Sequence, residues 1–263
     1  MYIKSDRWCI ISGPRSGTGW LEDMIFRHLN HSKKNTVKLH EFFNYGFSQA
    51  PFFIHHKLDC TTLDIIKITC PSLVSYDQFL VDKMNCIKFG NQDQSFTMRL
   101  FNHDEVESRR FENIVDTLYN TININSIILK RSAFDRALSW YFMKITNVVH
   151  HRISSNSIDF YSFTDGKLTK ETVKLQPIVV DIDKWRDLYA NCIRENQLLE
   201  KIGHQYNLSI VNYENLIEDC IKHSVPIHLD SIFQKTYSES YQNNVINFQE
   251  LLEESKLIER DMI

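Results

Sequence analysis

No apolar run in the sequence approaches the ~20 residues that a membrane span needs. Nor is there a strong charge of either sign: 263 residues carry a net charge of −3, which argues against a protein dominated by nucleic-acid or anionic-membrane contact. Six cysteines are present (Cys9, Cys60, Cys70, Cys86, Cys192 and Cys220), but they form no C-x-x-C pair and no zinc-like spacing. Internal repeats and low-complexity segments are missing as well. Lys4, Asp6 and Arg7 interrupt any signal-peptide reading of the start. Cys9 sits in an apolar run and Cys192 on an apolar helical face, so both read as buried free thiols, and a cytoplasmic, reducing compartment is the expectation. What remains is the composition of a folded protein, 43% hydrophobic and 24% charged. The length permits one large domain or two small ones.

Short runs rich in branched and aromatic residues alternate with helical periods. Trp8–Ser12, Thr36–Leu39, Phe96–Phe101, Ser126–Lys130 and Leu208–Tyr213 read as strands. After the first, Trp20, Leu21, Met24, Ile25 and Leu29 recur at helical spacing, and after the fourth Phe134, Leu138, Tyr141 and Ile145 do the same. From Asp183 onward, Trp185, Leu188, Tyr189, Cys192, Leu199 and Ile202 outline a long helix that runs into Gly203. This alternation predicts an α/β fold: one domain over 1–263, a three-layer sandwich with a mostly parallel central sheet. Two regions fit it poorly. Residues 42–95 mix Phe42, Phe43, Tyr45, Phe47, Phe52 and Phe53 with histidines, and residues 147–182 are polar and contain Asp165-Gly166. Connections this long are functional loops or disordered, and both are expected to shape a substrate site or lid.

The chemistry is concentrated at the start. Trp8-Cys9-Ile10-Ile11-Ser12 breaks into Gly13-Pro14-Arg15-Ser16-Gly17-Thr18-Gly19-Trp20. A buried strand, a turn rich in glycine and hydroxyls, and an amphipathic helix together make a P-loop-like phosphate cradle, with backbone N–H groups and the helix dipole directed at an anion. A nucleoside-triphosphatase P-loop, G-x-x-x-x-G-K-[ST], uses its Lys on the outer phosphates and its hydroxyl on Mg²⁺. Here Trp20 and Leu21 follow Gly19, and the loop's one cation, Arg15, comes earlier. A dinucleotide fingerprint also fails, because Gly13, Gly17 and Gly19 do not give G-x-G-x-x-G.

Pro14-Arg15-Ser16-Gly17-Thr18-Gly19-Trp20-Leu21 instead resembles the 5′-phosphosulfate loop of sulfotransferases, commonly P-K-S-G-T-T-W-L. In that family the loop holds the 5′ end of 3′-phosphoadenosine 5′-phosphosulfate (PAPS). Arg15 stands for the usual Lys, keeping the charge and adding a planar fork that can hold two oxygens. Gly19 stands for a Thr and removes one hydroxyl donor. The family's 3′-phosphate motif, an Arg after a strand and a Ser eight residues on, is matched by Arg131 and Ser139. Arg131 leaves the strand's carboxyl end and Ser139 projects about two turns along the helix, so a doubly charged phosphate fits between them. Leu208-Ser209-Ile210-Val211-Asn212-Tyr213-Glu214-Asn215-Leu216 resembles the family's late strand followed by Y-E-D-L, which implies that Tyr213 and Trp20 flank the adenine. The C-terminal R-K-G-x-x-G-D-W-K block of the cytosolic small-molecule branch is not found, pointing toward the bacterial, phage or carbohydrate-type branches.

The resemblance implies an enzyme that moves a sulfuryl group from PAPS to an acceptor hydroxyl, of a carbohydrate, releasing 3′-phosphoadenosine 5′-phosphate (PAP) without a metal. Arg15, Ser16, Gly17, Thr18, Gly19, Trp20, Arg131, Ser139 and Tyr213 would bind the donor, with Arg15 also stabilising charge during transfer. Cytosolic members take their base from a K-T-H segment, whose nearest analogue here, Thr97-Met98-Arg99-Leu100-Phe101-Asn102-His103, has no His two places after the basic residue. Other branches use a Glu after the second strand. Val37-Lys38-Leu39-His40-Glu41-Phe42-Phe43-Asn44 resembles that G-E-[YF]-F segment, and a carboxylate among apolar groups gains basicity. Glu41 is the leading base, with His40 and His103 as alternatives. His40, His103 and His150 are also candidates for substrate contact. Adjacent histidines such as His55-His56 and His150-His151 point to opposite faces of a strand and rarely share one ion, so no metal is expected. Two further readings share the strand–loop–helix: a P-loop nucleotide or small-molecule kinase, and a degenerate relative that binds nucleotide or glycan without turnover.

Overall fold

Every residue of the first strand, Arg7–Ser12, is buried, so the sheet around it is covered on both faces. The computed structural model describes residues 6–32, 36–39, 95–101, 108–121, 124–146, 151–153, 157–164, 167–229 and 238–262. In chain order the described elements are β1 (Arg7–Ser12), α1 (Thr18–Ser32), β2 (Thr36–Lys38), β3 (Ser95–Phe101), α2 (Ser108–Thr121), β4 (Asn125–Lys130) and α3 (Ala133–Thr146). There follow β5 (His151–Ile153), β6 (Ser157–Thr164), β7 (Lys167–Lys174), α4 (Ile182–Gln205), β8 (Ser209–Asn212), a 3₁₀ turn (Tyr213–Asn215), α5 (Leu216–Lys222), α6 (Ser238–Gln242) and α7 (Phe248–Met262). The chain divides into two compact units. One comprises Met1–Pro14, Thr18–Lys130 and Leu199–Ile232; the other comprises Arg15–Gly17, Arg131–Leu198 and Phe233–Ile263.

The first unit is an α/β layer structure built on a parallel sheet in the order β2-β3-β1-β4-β8. The central strand β1 aligns Ile10 with Ile127 on one side and Arg99 on the other. Side chains alternate along each strand, so Trp8, Ile10, Ile127, Leu129 and Val211 share one face. There they pack with Leu21, Met24, Ile25 and Leu29 of α1 and Leu216 and Cys220 of α5. The other face carries Ile128 and Ile210, and the end of α4 lies directly on them. A Cβ on Gly203 would stand 3.0 Å from Ile210 Cδ1 and 3.1 Å from Ile128 Cδ1.

That contact corrects the expectation that α4 ends at Gly203. The glycine is there so that the helix can approach the sheet, and the helix continues to Gln205. Its end is set by Asn207, whose φ of 50° places it in the left-handed region. Leu208 N–H then donates to the Gly203 carbonyl at 2.9 Å, and Asn207 N–H to the His204 carbonyl at 3.4 Å, which is a Schellman closure.

In the second unit α3 starts where Ser132 Oγ accepts the Asp135 N–H at 3.4 Å, an N-cap. Its core joins Ala137, Leu138, Tyr141 and Phe142 of α3 to Trp185, Leu188, Tyr189 and Cys192 of α4 and to Leu251 and Ile258 of α7. Asn247 ties the C-terminal segment to the chain before α4: its side chain accepts from Val180 N–H and donates to the Val180 carbonyl, both at 2.9 Å. The region 147–182, expected to be a functional loop or disordered, contains an antiparallel sheet, β5-β6-β7. Thr164 pairs with Lys167, leaving Asp165-Gly166 between the two strands, the dipeptide most typical of two-residue hairpins.

Candidate functional site

The loop between β1 and α1 turns on two residues with positive φ, Arg15 at 64° and Gly17 at 84°. Glycine adopts this region without penalty, whereas an arginine there costs about 1 kcal/mol. Arg15 is thus held in a strained conformation, and its neighbours in the second unit show what holds it. Its guanidinium donates to Ser139 Oγ twice, from Nε at 3.1 Å and from Nη2 at 3.0 Å. Its backbone carbonyl accepts from Arg131 Nη1 at 3.1 Å. Arg15, Arg131 and Ser139, which the sequence assigns to the two ends of one ligand, therefore form one hydrogen-bonded cluster.

Ser16 adds a group that protein does not satisfy. It is fully buried, and its Oγ has no hydrogen-bond partner. A buried orphan hydroxyl costs about 1–3 kcal/mol; beside two arginines, its natural complement is an oxyanion. In the first unit Ser12 Oγ, on the last residue of β1, is likewise buried without a partner. Thr18 opens α1, Gly19 follows it, and the helix has no acidic residue in its first turn, so no like charge opposes an anion there. Within the second unit, Arg15, Ser16, Arg131 and Ser139 fit a phosphate-bearing ligand.

Arg131 is gripped at several points. Beyond its bond to Arg15, its Nη2 donates to Tyr241 Oη at 3.4 Å, and its guanidinium carbon lies 6.0 Å from that ring's centroid. Its backbone carbonyl accepts from Asn196 Nδ2 at 3.0 Å. Asn196 is in turn oriented by Arg136, whose Nη1 donates to Asn196 Oδ1 at 2.9 Å while Nη2 is paired with Glu195. Arg136 is fully buried. Sequence reasoning missed Arg136, Glu195, Asn196 and Tyr241. The helix α3 is buried at Asp135, Arg136, Ala137, Leu138 and Ser139 alike, so no polar stripe marks Arg136 as special. Tyr241 is brought to Arg131 by tertiary folding alone.

The aromatic pair belongs to the first unit. Trp20 and Tyr213 meet edge to face, with centroids 5.8 Å apart and planes at 74°. Tyr213 is buried in the core and Trp20 packs partly against it. Such a pair presents a ring face and a ring edge rather than two parallel walls. Leu39 extends the β2–β3 ladder by one bond, Leu39 N–H to the Thr97 carbonyl at 2.8 Å. Glu41 follows two residues later in sequence. Glu41, His40, His103 and His150 all lie outside the described residues.

The cysteines that are described behave as small apolar groups. Cys9, Cys192 and Cys220 are buried free thiols. Burial, first of all, pushes Cys192 up to about 11 and Cys220 up to about 12. It also raises Cys9, where Glu22 adds to the effect. Among the described residues no group of three or more His, Cys, Asp and Glu is placed to hold a metal ion, and no helix is long and apolar enough to cross a membrane.

Two comparisons complete the site. A family model described as "Sulfotransferase domain" matches residues 5–225, the greater part of the chain. No curated protein matches the sequence.

Proposed function

The chain belongs to the sulfotransferase domain family, and from that premise we propose that it moves a sulfuryl group from PAPS to a carbohydrate hydroxyl. The observation that carries this reading is the cluster of Arg15, Ser139 and Arg131, drawn together at 3.0–3.1 Å. In this reading Arg15, Ser16, Gly17, Thr18 and Gly19 hold the 5′-phosphosulfate, Arg131 and Ser139 the 3′-phosphate, and Trp20 and Tyr213 the adenine. The orphan Ser16 hydroxyl supports it, since a phosphosulfate oxygen supplies the acceptor that the protein does not. The whole chain acts as one catalytic domain, in a reducing cytoplasm that suits its free thiols.

The chemistry is an in-line displacement. The acceptor oxygen attacks sulfur, the bond from sulfur to the bridging oxygen of the 5′-phosphate breaks, and that oxygen leaves on PAP carrying the electron pair. Arg15 follows the charge moving onto the bridging oxygen, and its strained, doubly hydrogen-bonded setting pre-orients it for that role. Glu41 takes the acceptor's proton. The donor's mixed anhydride is already activated, so the step needs no metal. Residues 42–95 and 147–182 shape the acceptor's pocket, with His40, His103 and His150 among the contacts.

Calorimetric titration with PAP tests the donor site. Arg15→Ala and Arg131→Ala should each abolish binding that the unaltered protein shows. Undiminished affinity in both variants overturns the proposal.

A further inference from the structure

Between β4 and α3 the Arg131 carbonyl falls outside both regular ladders. The last residue of β4, Lys130, pairs with Asn212. The first backbone bond of α3 runs from Arg136 N–H to the Ser132 carbonyl at 3.0 Å, one residue beyond Arg131. Asn196 of α4 reaches the carbonyl left between them, its Nδ2 donating at 3.0 Å. Arg136 decides which way round that amide stands. A guanidinium carries donors and no acceptor, so its Nη1, 2.9 Å from Asn196 Oδ1, claims the oxygen side and turns Nδ2 toward Arg131. Arg136 is fully buried and is paired through Nη2 with Glu195, the residue before Asn196. Because Arg136 sits on the helix that Arg131 leads into, Arg131, Asn196 and Arg136 close a ring of contacts within the second unit. That ring grips the backbone of Arg131, whatever else its guanidinium touches.

We infer that Asn196 is a positioning residue for the donor's 3′-phosphate. It fixes the peptide from which Arg131 projects, with Arg136 setting its amide. The inference rests on the reading of Arg131 as the 3′-phosphate ligand. Adenosine 5′-phosphate, which lacks that phosphate, is the matched control.

Calorimetry with PAP and with adenosine 5′-phosphate tests the role. The unaltered protein should bind PAP the more tightly. Asn196→Ala deletes the bond to Arg131 without adding charge. It should weaken PAP about five- to tenfold and adenosine 5′-phosphate less than about twofold. Asn196→Asp keeps an acceptor for Arg136 but sets a carboxylate against the Arg131 carbonyl. It should weaken PAP at least as much, with a thermal midpoint within about 4 °C of the parent. Equal loss of both ligands in the two variants makes Asn196 merely structural and overturns the inference. Loss of PAP in Asn196→Asp alone overturns it too, since the added charge then accounts for the effect. If the unaltered protein prefers PAP and both variants prefer it by the same factor, the role of Asn196 falls while the donor site stands. An unaltered protein without that preference overturns the donor-site reading itself.

Discussion

The buried Arg136–Glu195 pair sets up a test in which stability and binding part company. Arg136 has no exposed side-chain surface and Glu195 has 11%. Removing one partner of such a pair leaves an uncompensated buried charge, at a cost of about 3–5 kcal/mol. Arg136 keeps Asn196 Oδ1 at 2.9 Å and the Cys192 carbonyl at 3.5 Å, so Glu195→Leu should fall at the lower end, about 3 kcal/mol. For a chain of this size that lowers the thermal midpoint by about 6–12 °C. Replacing both partners, Arg136→Met with Glu195→Leu, removes the buried charge as well, and the double variant should recover to within about 1 kcal/mol of the parent. Binding should not recover with it. The double variant no longer orients Asn196, which holds the Arg131 carbonyl at 3.0 Å, so PAP affinity should stay reduced. Thermal unfolding by circular dichroism reads the first quantity and calorimetry the second. A single variant that loses less than about 1 kcal/mol, or a double variant no more stable than the single, refutes the buried-charge argument.

Three further outcomes follow from the site. Glu41→Gln should leave PAP affinity intact while steady-state turnover falls by about 10² or more; retained turnover moves the base to His40 or His103. Ser16→Ala removes a buried hydroxyl that has no partner. The ligand-free protein should be as stable as before or gain up to about 1 kcal/mol, while PAP binds about tenfold more weakly; a destabilised variant with full affinity contradicts the orphan's assignment. With Cys192 raised to about 11 and Cys220 to about 12, thiolate is scarce at pH 8, and burial protects Cys9 equally. Peptide mapping after iodoacetamide should find all three unmodified in the native protein and modified after denaturation, and rapid native labelling of any of them refutes their burial.

The parts of the fold that sequence revealed are those where one period dominates. β1 and α1, like β4 and α3, carry apolar residues at strand and helix spacing; the two strands begin one residue before the expected starts and end where expected, and the two helices span the periodic residues. Helix α2 holds the same signal in Phe111, Ile114, Val115 and Leu118, all buried, at i, i+3, i+4 and i+7 among polar residues that weaken it. The hairpin strand β7 is a different case. Lys170 to Lys174 are all exposed, so no inside–outside alternation exists to be read. Arg15, Arg131 and Ser139 stood out in the sequence because their spacing matches a known pattern. Asn196 and Tyr241 did not, since the bonds they make to Arg131 depend on how α4 and the C-terminal segment fold back, which no local pattern encodes.

Sulfuryl transfer itself is the most direct test. Incubated with PAPS labelled in its sulfate group and a panel of oligosaccharide acceptors, the protein should pass label to an acceptor and release PAP in equal amount, and Arg15→Ala should do neither. Tight PAP binding with no label transferred to any hydroxyl would contradict the account.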